Sequence, residues 1–452
     1  MRIACVHVPQ FALQSLSRID PSLRGAAVAV VGAGTAPAAG VRPSLALHSP
    51  IVLACSRAAW SLGVRLGMTA SAARFVSSEL HVIASDPQLE RETVRAIADG
   101  LLGLSTVVDT GGRVSAGGAH LAMYCEVPSK TRGTTFGDRL LDLLDTFGLA
   151  ARIGIADDRF TAWVAAAHGG GEDRGVVIVP RGGSAAFLAP RPLSLLAITP
   201  EVQHMLEALG VRTLGEFAAL PAPSVSRPLE ADYQALARGD SGSTLRPYAP
   251  EAPIREELAV GNAGSLFGGA TAVAALAERL ALRLVGRGRG AARLEVTVAG
   301  SGGDRVIPVA AARSASSQDE LVELIAPLIG EAPGANAKLR VVVVGEAIAG
   351  AGGAPVGEAH AVPLASGGPG AHRDGSSPAL STAELAMSDA QLADLGQLVS
   401  LTHPGGGQPW QLSAPQALRS ERRDAHRRTR RARQRRRSVT LVQPQLFGNR
   451  QG

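Results

Sequence analysis

The chain has 452 residues, 46% of them hydrophobic, with 45 basic against 39 acidic side chains and a net charge of +6. That length and apolar content suffice for two to four domains with their own cores, and no run of about eighteen apolar residues is present to cross a membrane. Cys5, Cys55 and Cys125 are too few and too scattered for a disulfide framework or a cysteine metal site. Together with a start, Met1–Cys5, that lacks the apolar stretch of a signal peptide, they lead us to expect a cytoplasmic protein.

Ile3–Val8 reads as a buried strand that Pro9 ends. From 21 to 78 there is no Asp or Glu but five arginines, at 24, 42, 57, 65 and 74, so this is a small basic module. It holds the apolar runs Val28–Val31 and Val52–Ala54 and a short helix from about Ser56 to Leu62. A regular pattern follows: a helix over about 86–104, strands near 106–109 and 119–126, an amphipathic helix over 135–148 and a strand at 151–155. Asp157 or Asp158 is placed to cap a helix over 159–168, and Val176–Val179 is a further strand. With the first strand this gives the order β-α-β-β-α-β, a split βαβ sheet carrying the basic module as an insertion.

Residues 186–238 read as short helices. Among them, Gly210, Val211, Arg212 and Thr213 form a hairpin whose backbone N–H groups could hold phosphate without reading bases. An ordinary helical hairpin is the alternative. Residues 252–345 repeat the earlier order, with strands at 254–260, 292–299, 304–310 and 338–344 and helices at about 270–286 and 318–329. Arg279, Arg283, Arg287 and Arg289 cluster on and after the first of these helices, and we expect the last three to contact DNA. The overall class expected is α+β.

Residues 346–380 are rich in Gly, Ala, Pro and Ser and read as a flexible linker, with a short helix near 381–397. Between Arg419 and Arg437 stand eleven arginines and two acids, Glu421 and Asp424, a local net charge of +9. Such a block, including Arg427, Arg428, Arg430 and Arg431, stays solvated and suits a polyanion; a merely solubilising tail is the alternative. Gln443-Pro-Gln-Leu446-Phe447 follows as a small apolar hook near the end. Two tempting motifs fail. Gly32-Ala-Gly34 is followed by Pro37 and has no ribose-binding acid about twenty residues on. Gly239-Asp-Ser-Gly242 sits in the wrong element order for a serine-protease barrel.

Taken in order, these elements resemble the palm, fingers, thumb and little finger of Y-family translesion DNA polymerases. Gly63-Val-Arg-Leu-Gly67-Met68 resembles a fingers motif. Gly154-Ile-Ala156 with Phe160–Ala165 resembles a palm segment, and Leu209–Phe217 the thumb hairpin. The resemblance implies a palm over 1–20 and 79–182, fingers over 21–78, a thumb over 183–240 and a little finger over 250–345. A linker and C-terminal region over 346–418 and an Arg-rich tail over 419–452 would follow. It also implies two Mg²⁺ ions held by palm carboxylates. Here the corresponding positions read His7 and Pro9 in the first strand and Gly117 and Gly118 near the strand pair, and the nucleotide-holding Tyr-x-x-Arg reads Arg57-Ala-Ala-Trp60. No acid precedes Asp20 or lies between Arg113 and Cys125.

These departures resemble catalytically degenerate Y-family proteins of the ImuB type. The expectation is therefore a non-enzymatic adaptor in damage-induced mutagenesis, with no cofactor and no metal. Its implied partners are DNA, a β sliding clamp held through Gln443, Leu446 and Phe447, a DnaE-type error-prone polymerase and a RecA-like ImuA protein, at the nucleoid and away from membranes. An active Y-family polymerase and a general nucleic-acid-binding protein are the alternatives.

Overall fold

The first strand is the centre of the molecule. β1 (Ile3–Pro9) lies between β6 (His120–Glu126) and β7 (Arg152–Ala156), antiparallel to both, and all seven of its residues are buried. The computed structural model describes residues 1–32, 50–111, 120–170, 175–221, 228–242, 244–250, 253–260, 269–300, 303–329, 337–348 and 439–441. The fold is α+β, with three separate sheets.

From β1 the chain turns through Gln10, held at φ 49°, into α1 (Phe11–Ile19), a helix the sequence reading did not anticipate. The Gln10 side chain accepts from Cys55 N at 2.9 Å, which fixes the turn against the next unit. That unit holds β2 (Val28–Gly32), β3 (Ile51–Cys55), α2 (Arg57–Ser61), α3 (Ala70–Val76) and β4 (His81–Ala84). Its sheet order is β3-β2-β4, and β4 pairs parallel to β2. Neither α3 nor β4 was expected. Ser56 and Thr69 cap α2 and α3 by accepting backbone N–H bonds, as N-cap hydroxyls do.

The chain re-enters the central sheet through α4 (Pro87–Leu102), capped by Asp86 with Pro87 at its first position, followed by β5 (Val108–Asp109) and β6 (His120–Glu126). Next come α5 (Gly133–Thr146), β7 (Arg152–Ala156), α6 (Arg159–His168) and β8 (Gly175–Ile178). Asp158, rather than Asp157, caps α6; Asp157 pairs with Arg2 at 2.9 Å instead. The central sheet runs β13-β8-β7-β1-β6-β5, its outermost strand being β13 (Val439–Leu441), parallel to β8. Alternation along β1 sends Ile3 and Cys5 to one face, under Ala162, Trp163 and Ala166 of α6. Ala4, Val6 and Val8 go to the other, under Ala96, Ile97, Leu140 and Leu144 of α4 and α5.

Short helices follow: α7 (Ser184–Leu188), α8 (Pro200–Ala208), α9 (Leu214–Ala218) and α10 (Pro228–Ala237). The C-terminal sheet, ordered β11-β10-β12-β9, contains β9 (Arg255–Val260), β10 (Arg289–Gly300), β11 (Gly303–Ala315) and β12 (Ala337–Ile348). Its strands are several residues longer than their apolar cores suggest, because hydrogen-bonded pairing continues past the buried positions. One face carries α11 (Gly269–Arg287) and α12 (Gln318–Ile325) over Leu258, Leu294, Val296, Leu339 and Val341. The other face has no helix over it among the described residues.

One close approach fixes the sheet–helix spacing. A methyl group at Gly154 in β7 would lie 2.1 Å from the Ala162 carbonyl oxygen and 2.4 Å from Ala166 N in α6. Both obstacles are backbone, so α6 as a whole would have to move. Replacing Gly154 by Ala is expected to cost about 2–3 kcal/mol, read as a lowered midpoint in denaturant unfolding at unchanged slope.

Candidate nucleic-acid interface

At the heart of the central sheet, His7 faces Ala122 on β6 and Arg152 on β7, and Pro9 faces His120. His7 is 5% exposed and its ring stacks on His120, centroids 5.5 Å apart and planes 23° from parallel. Burial, then the neighbouring His120, His168 and Arg152, pushes the His7 imidazole well below its ordinary range, so it is neutral at pH 7. Its Nδ1 is buried without a hydrogen-bond partner.

These residues do not fit a pair of magnesium ions, which take anionic and carbonyl oxygens. β1 offers a neutral imidazole and a proline. Among the described residues no group of three or more His, Cys, Asp or Glu side chains is placed to hold a metal. The buried acid on this sheet, Asp109 of β5, is already occupied. It accepts from Arg159 at 3.0 Å, from Arg246 N at 2.9 Å and from Gly111 N at 2.7 Å. Arg159 also lies over the Tyr124 ring, 4.3 Å from its centroid. Gly117 and Gly118 lie outside the described residues, as do Gln443, Leu446 and Phe447 and the tail residues Arg427, Arg428, Arg430 and Arg431.

In the small sheet unit, Arg57 is exposed, and Arg65 covers Trp60 at 4.1 Å while donating to the carbonyls of Trp60 and Val64. The positive side chain there is folded onto its own module.

The helical hairpin differs from expectation in its backbone. Gly210 takes φ +86° to turn the chain, but its N–H donates to Glu207 O and that of Val211 to Leu206 O. The N–H groups of Arg212 and Thr213 both donate to Glu216 Oε2, at 2.7 and 2.9 Å, inside a capping box. The four amides expected to cradle phosphate are thus satisfied within the hairpin. What it presents is the exposed Arg212 side chain beside the apolar tip residues Met205 and Leu209, 53% and 72% exposed.

The arginines of α11 need a larger correction. Arg283 is fully buried and Arg287 nearly so, so neither faces solvent as a DNA ligand would. Arg283 donates to Asp99 of α4 at 2.8 Å and to Glu256 of β9 at 2.9 Å. Arg287 donates to Asp99 at 3.0 Å and to Glu346 at 2.7 Å, and Arg18 of α1 closes the network on Glu256. Burial alone would raise the Glu256 carboxyl, but Arg18, Arg283 and Arg279 outweigh it and hold it below the ordinary carboxylate range. The carboxylate partners stand far away in sequence, so an arginine row on a helix gave no sign of its burial. Arg289, past the helix end, is exposed as expected.

The sequence reading missed a charged surface, with four basic side chains, on the open face of the C-terminal sheet. With Leu294 and Val296 turned inward on β10, and Leu339 and Val341 inward on β12, alternation puts Arg293, Lys338 and Arg340 on the other face. Arg255 joins them from β9. Glu257 of β9, Glu295 of β10 and Asp304 of β11 share this face, and Glu257 pairs with Arg340 at 2.7 Å and with Lys338 at 3.7 Å. The alternating pattern in 337–343 carried this signal.

Residues 6–167 match the family model described as the impB/mucB/samB family. A DNA polymerase IV of Dehalococcoides mccartyi strain CBDB1 is 35% identical over 101 residues, 22% of this chain and 25% of that protein. DNA polymerase IV 1 of Bacillus subtilis strain 168 is 27% identical over 249 residues, 55% of this chain and 56% of that protein. The chain thus spans between a quarter and about half the length of these curated relatives. Among solved structures, an insertion ternary complex of Dbh DNA polymerase aligns over 76% of this chain and 98% of its own, at 14% identity and a TM-score of 0.45. DinB from Sulfolobus solfataricus aligns over 77% and 100%, at 13% identity and a TM-score of 0.44.

Over its matched N-terminal part the chain is Y-family polymerase-like. The expectation that it is not an enzyme is corrected by these relatives, which carry the name of an enzyme, DNA polymerase IV. Among the described residues no helix is long and apolar enough to cross a membrane.

The neutral, buried His7 makes stability pH-dependent. Its folded pKa is depressed, so between that value and about 6.5 the unfolded chain binds a proton that the folded chain does not. The stability is fully present above about 6.5 and falls by up to about 1.4 kcal/mol per pH unit below it. His7→Leu is expected to flatten that part of the stability–pH curve in denaturant titrations from pH 7.5 to 5.

Proposed function

We propose that this chain acts on primer–template DNA in translesion synthesis. The observation that carries the reading is a polymerase-like N-terminal part joined, in one chain, to a four-stranded sheet whose open face presents Arg255, Arg293, Lys338 and Arg340. Arg255, Arg293, Lys338, Arg340 and Arg289 would follow the phosphate backbone without reading sequence, with Arg212 of the hairpin adding a contact. The Arg-rich segment 419–437 would supply further, salt-sensitive attraction.

DNA polymerase activity is the reading that the relatives' names favour. The test is primer extension with protein repurified away from contaminating polymerases. Incorporation that tracks the purified chain and requires a divalent metal supports it. No incorporation, with duplex binding intact, overturns it and leaves a role in holding DNA and bringing other proteins to it.

A recruiting role compatible with either outcome is favoured by the hook at the end of the sequence. Gln443, Leu446 and Phe447 have the spacing of a short peptide that places a polar and two apolar side chains in a pocket of a β sliding clamp. A DnaE-type polymerase and a RecA-like ImuA protein are the further partners proposed, in the bacterial cytoplasm at the nucleoid. Replacing Leu446 and Phe447 together by Ala is expected to weaken clamp binding at least about a hundredfold, since two anchor side chains are lost. Duplex binding should stay within about twofold of wild type. Clamp binding unchanged in surface plasmon resonance would remove the hook from this role.

A further inference from the structure

The seam between the central and C-terminal units is built mainly of charge. α4 and α11 meet along Asp99, Arg283 and Arg287, with Glu256, Arg18 and Arg279 beside them. Arg279 donates to the backbone carbonyls of Arg18 and Thr146, at 3.1 and 3.3 Å, and burial followed by the charge of Arg18 lowers its pKa to about 9. Four arginines, at 18, 279, 283 and 287, therefore share the seam with Asp99, Glu256 and the half-exposed Glu346. The connecting segment is tied to the same place, because the Tyr248 hydroxyl donates to Asp99 at 3.1 Å.

Each unit has a core of its own, one under the central sheet and one between the C-terminal sheet and α11 and α12. The apolar groups reaching across from the connection and α11 into the central core are Tyr248 and Leu282. An interface between two closed cores that is made of ion pairs is one that can separate, unlike a wide apolar seam. On separation, its surface would carry more arginine than carboxylate.

We propose that the α4–α11 seam is a latch: closed in the free protein, it opens when a polyanionic backbone takes the arginines of α1 and α11 from Asp99 and Glu256. This rests on the DNA reading above and extends it, because Arg283 and Arg287 become DNA contacts only in the open form. The closed form lowers apparent DNA affinity by the fraction of molecules it withholds.

Two variants open the latch by unrelated routes. Asp99→Asn removes the charge that holds Arg283 and Arg287. Gly286→Ala leaves every charge in place, but its methyl would lie 1.8 Å from the Asp99 carbonyl oxygen and wedge the helices apart. Circular dichroism confirms that each variant is folded, and two readouts follow in the full chain. Limited chymotrypsin cleavage after Tyr248 should be faster in both variants than in wild type, and in wild type it should quicken when duplex DNA is added. Duplex affinity by fluorescence anisotropy should rise at least about fivefold in both variants, as the binding-competent fraction grows.

Cleavage at the wild-type rate in Gly286→Ala and Asp99→Asn overturns the latch. So does faster cleavage with duplex affinity unchanged or reduced, and so does protection of wild-type Tyr248 by DNA. Those results leave the DNA reading standing if all three proteins bind duplex. Failure of all three to bind duplex overturns both.

Discussion

Asp99 and Glu256 are fully buried carboxylates, and the relation between the two halves of the molecule depends on their being neutralised. An isolated carboxylate in such a place would cost several kcal/mol in lost hydration. Here Arg283 bridges the two, Arg287 and Tyr248 complete Asp99, and Arg18 completes Glu256. The six groups in this chain of contacts come from five parts of the sequence: α1, α4, the connection, β9 and α11. Removing a single member would leave a buried charge uncompensated, a loss of about 3–5 kcal/mol in comparable sites. The seam is therefore specific in geometry and brittle towards any change that unbalances it.

That same dependence explains what could and could not be read in advance. Periodicity and capping residues marked the helix over 159–168 and the strands around it, because those signals are local. The Leu140/Leu141/Leu144 stripe of α5 and the Asp86-Pro87 start of α4 are of the same kind. Helix α1 escaped because it begins directly after Pro9, through Gln10 in a left-handed conformation with no side-chain cap. Strand β4 escaped because its four residues have no buried alternation; all are half-buried or exposed. Arg283 and Arg287 misled for a different reason. An arginine on a helix has the same appearance whether it meets phosphate or a carboxylate 184 residues away. By contrast, the charged open face of the C-terminal sheet was legible in principle from the alternation of β12.

The centre of the central sheet poses a chemical conflict. The curated relatives carry the name DNA polymerase IV, whereas the described residues at β1 offer no anionic oxygen to a metal. His7 and His120 fill that position with stacked rings, and Asp109 is held by Arg159 and two backbone amides. A neutral imidazole costs less to bury at β1 than a carboxylate, which would require compensating charge, even with its Nδ1 unpaired. Carboxylates for a metal would have to come from outside β1 and outside His120–Ala122, the part of β6 paired with His7–Pro9.

Charge distribution would separate two kinds of contact on the proposed DNA reading. Residues 419–437 carry +9 of a chain total of +6, so the remainder sums to −3. Within that remainder several arginines are spent internally: Arg18, Arg283 and Arg287 in the seam, Arg159 on Asp109, Arg2 on Asp157. The long-range field that draws a polyanion in therefore has to originate in the tail. The folded body contributes at short range, where the face of Arg255, Arg293 and Lys338 can meet a phosphate row. Attraction by the tail falls steeply with salt, whereas contacts formed by ordered side chains on a rigid sheet fix where the duplex lies. On the proposed DNA reading, capture and positioning would fall to different parts of one chain, and the proposed latch would set how much of the body's arginine is available for the second step.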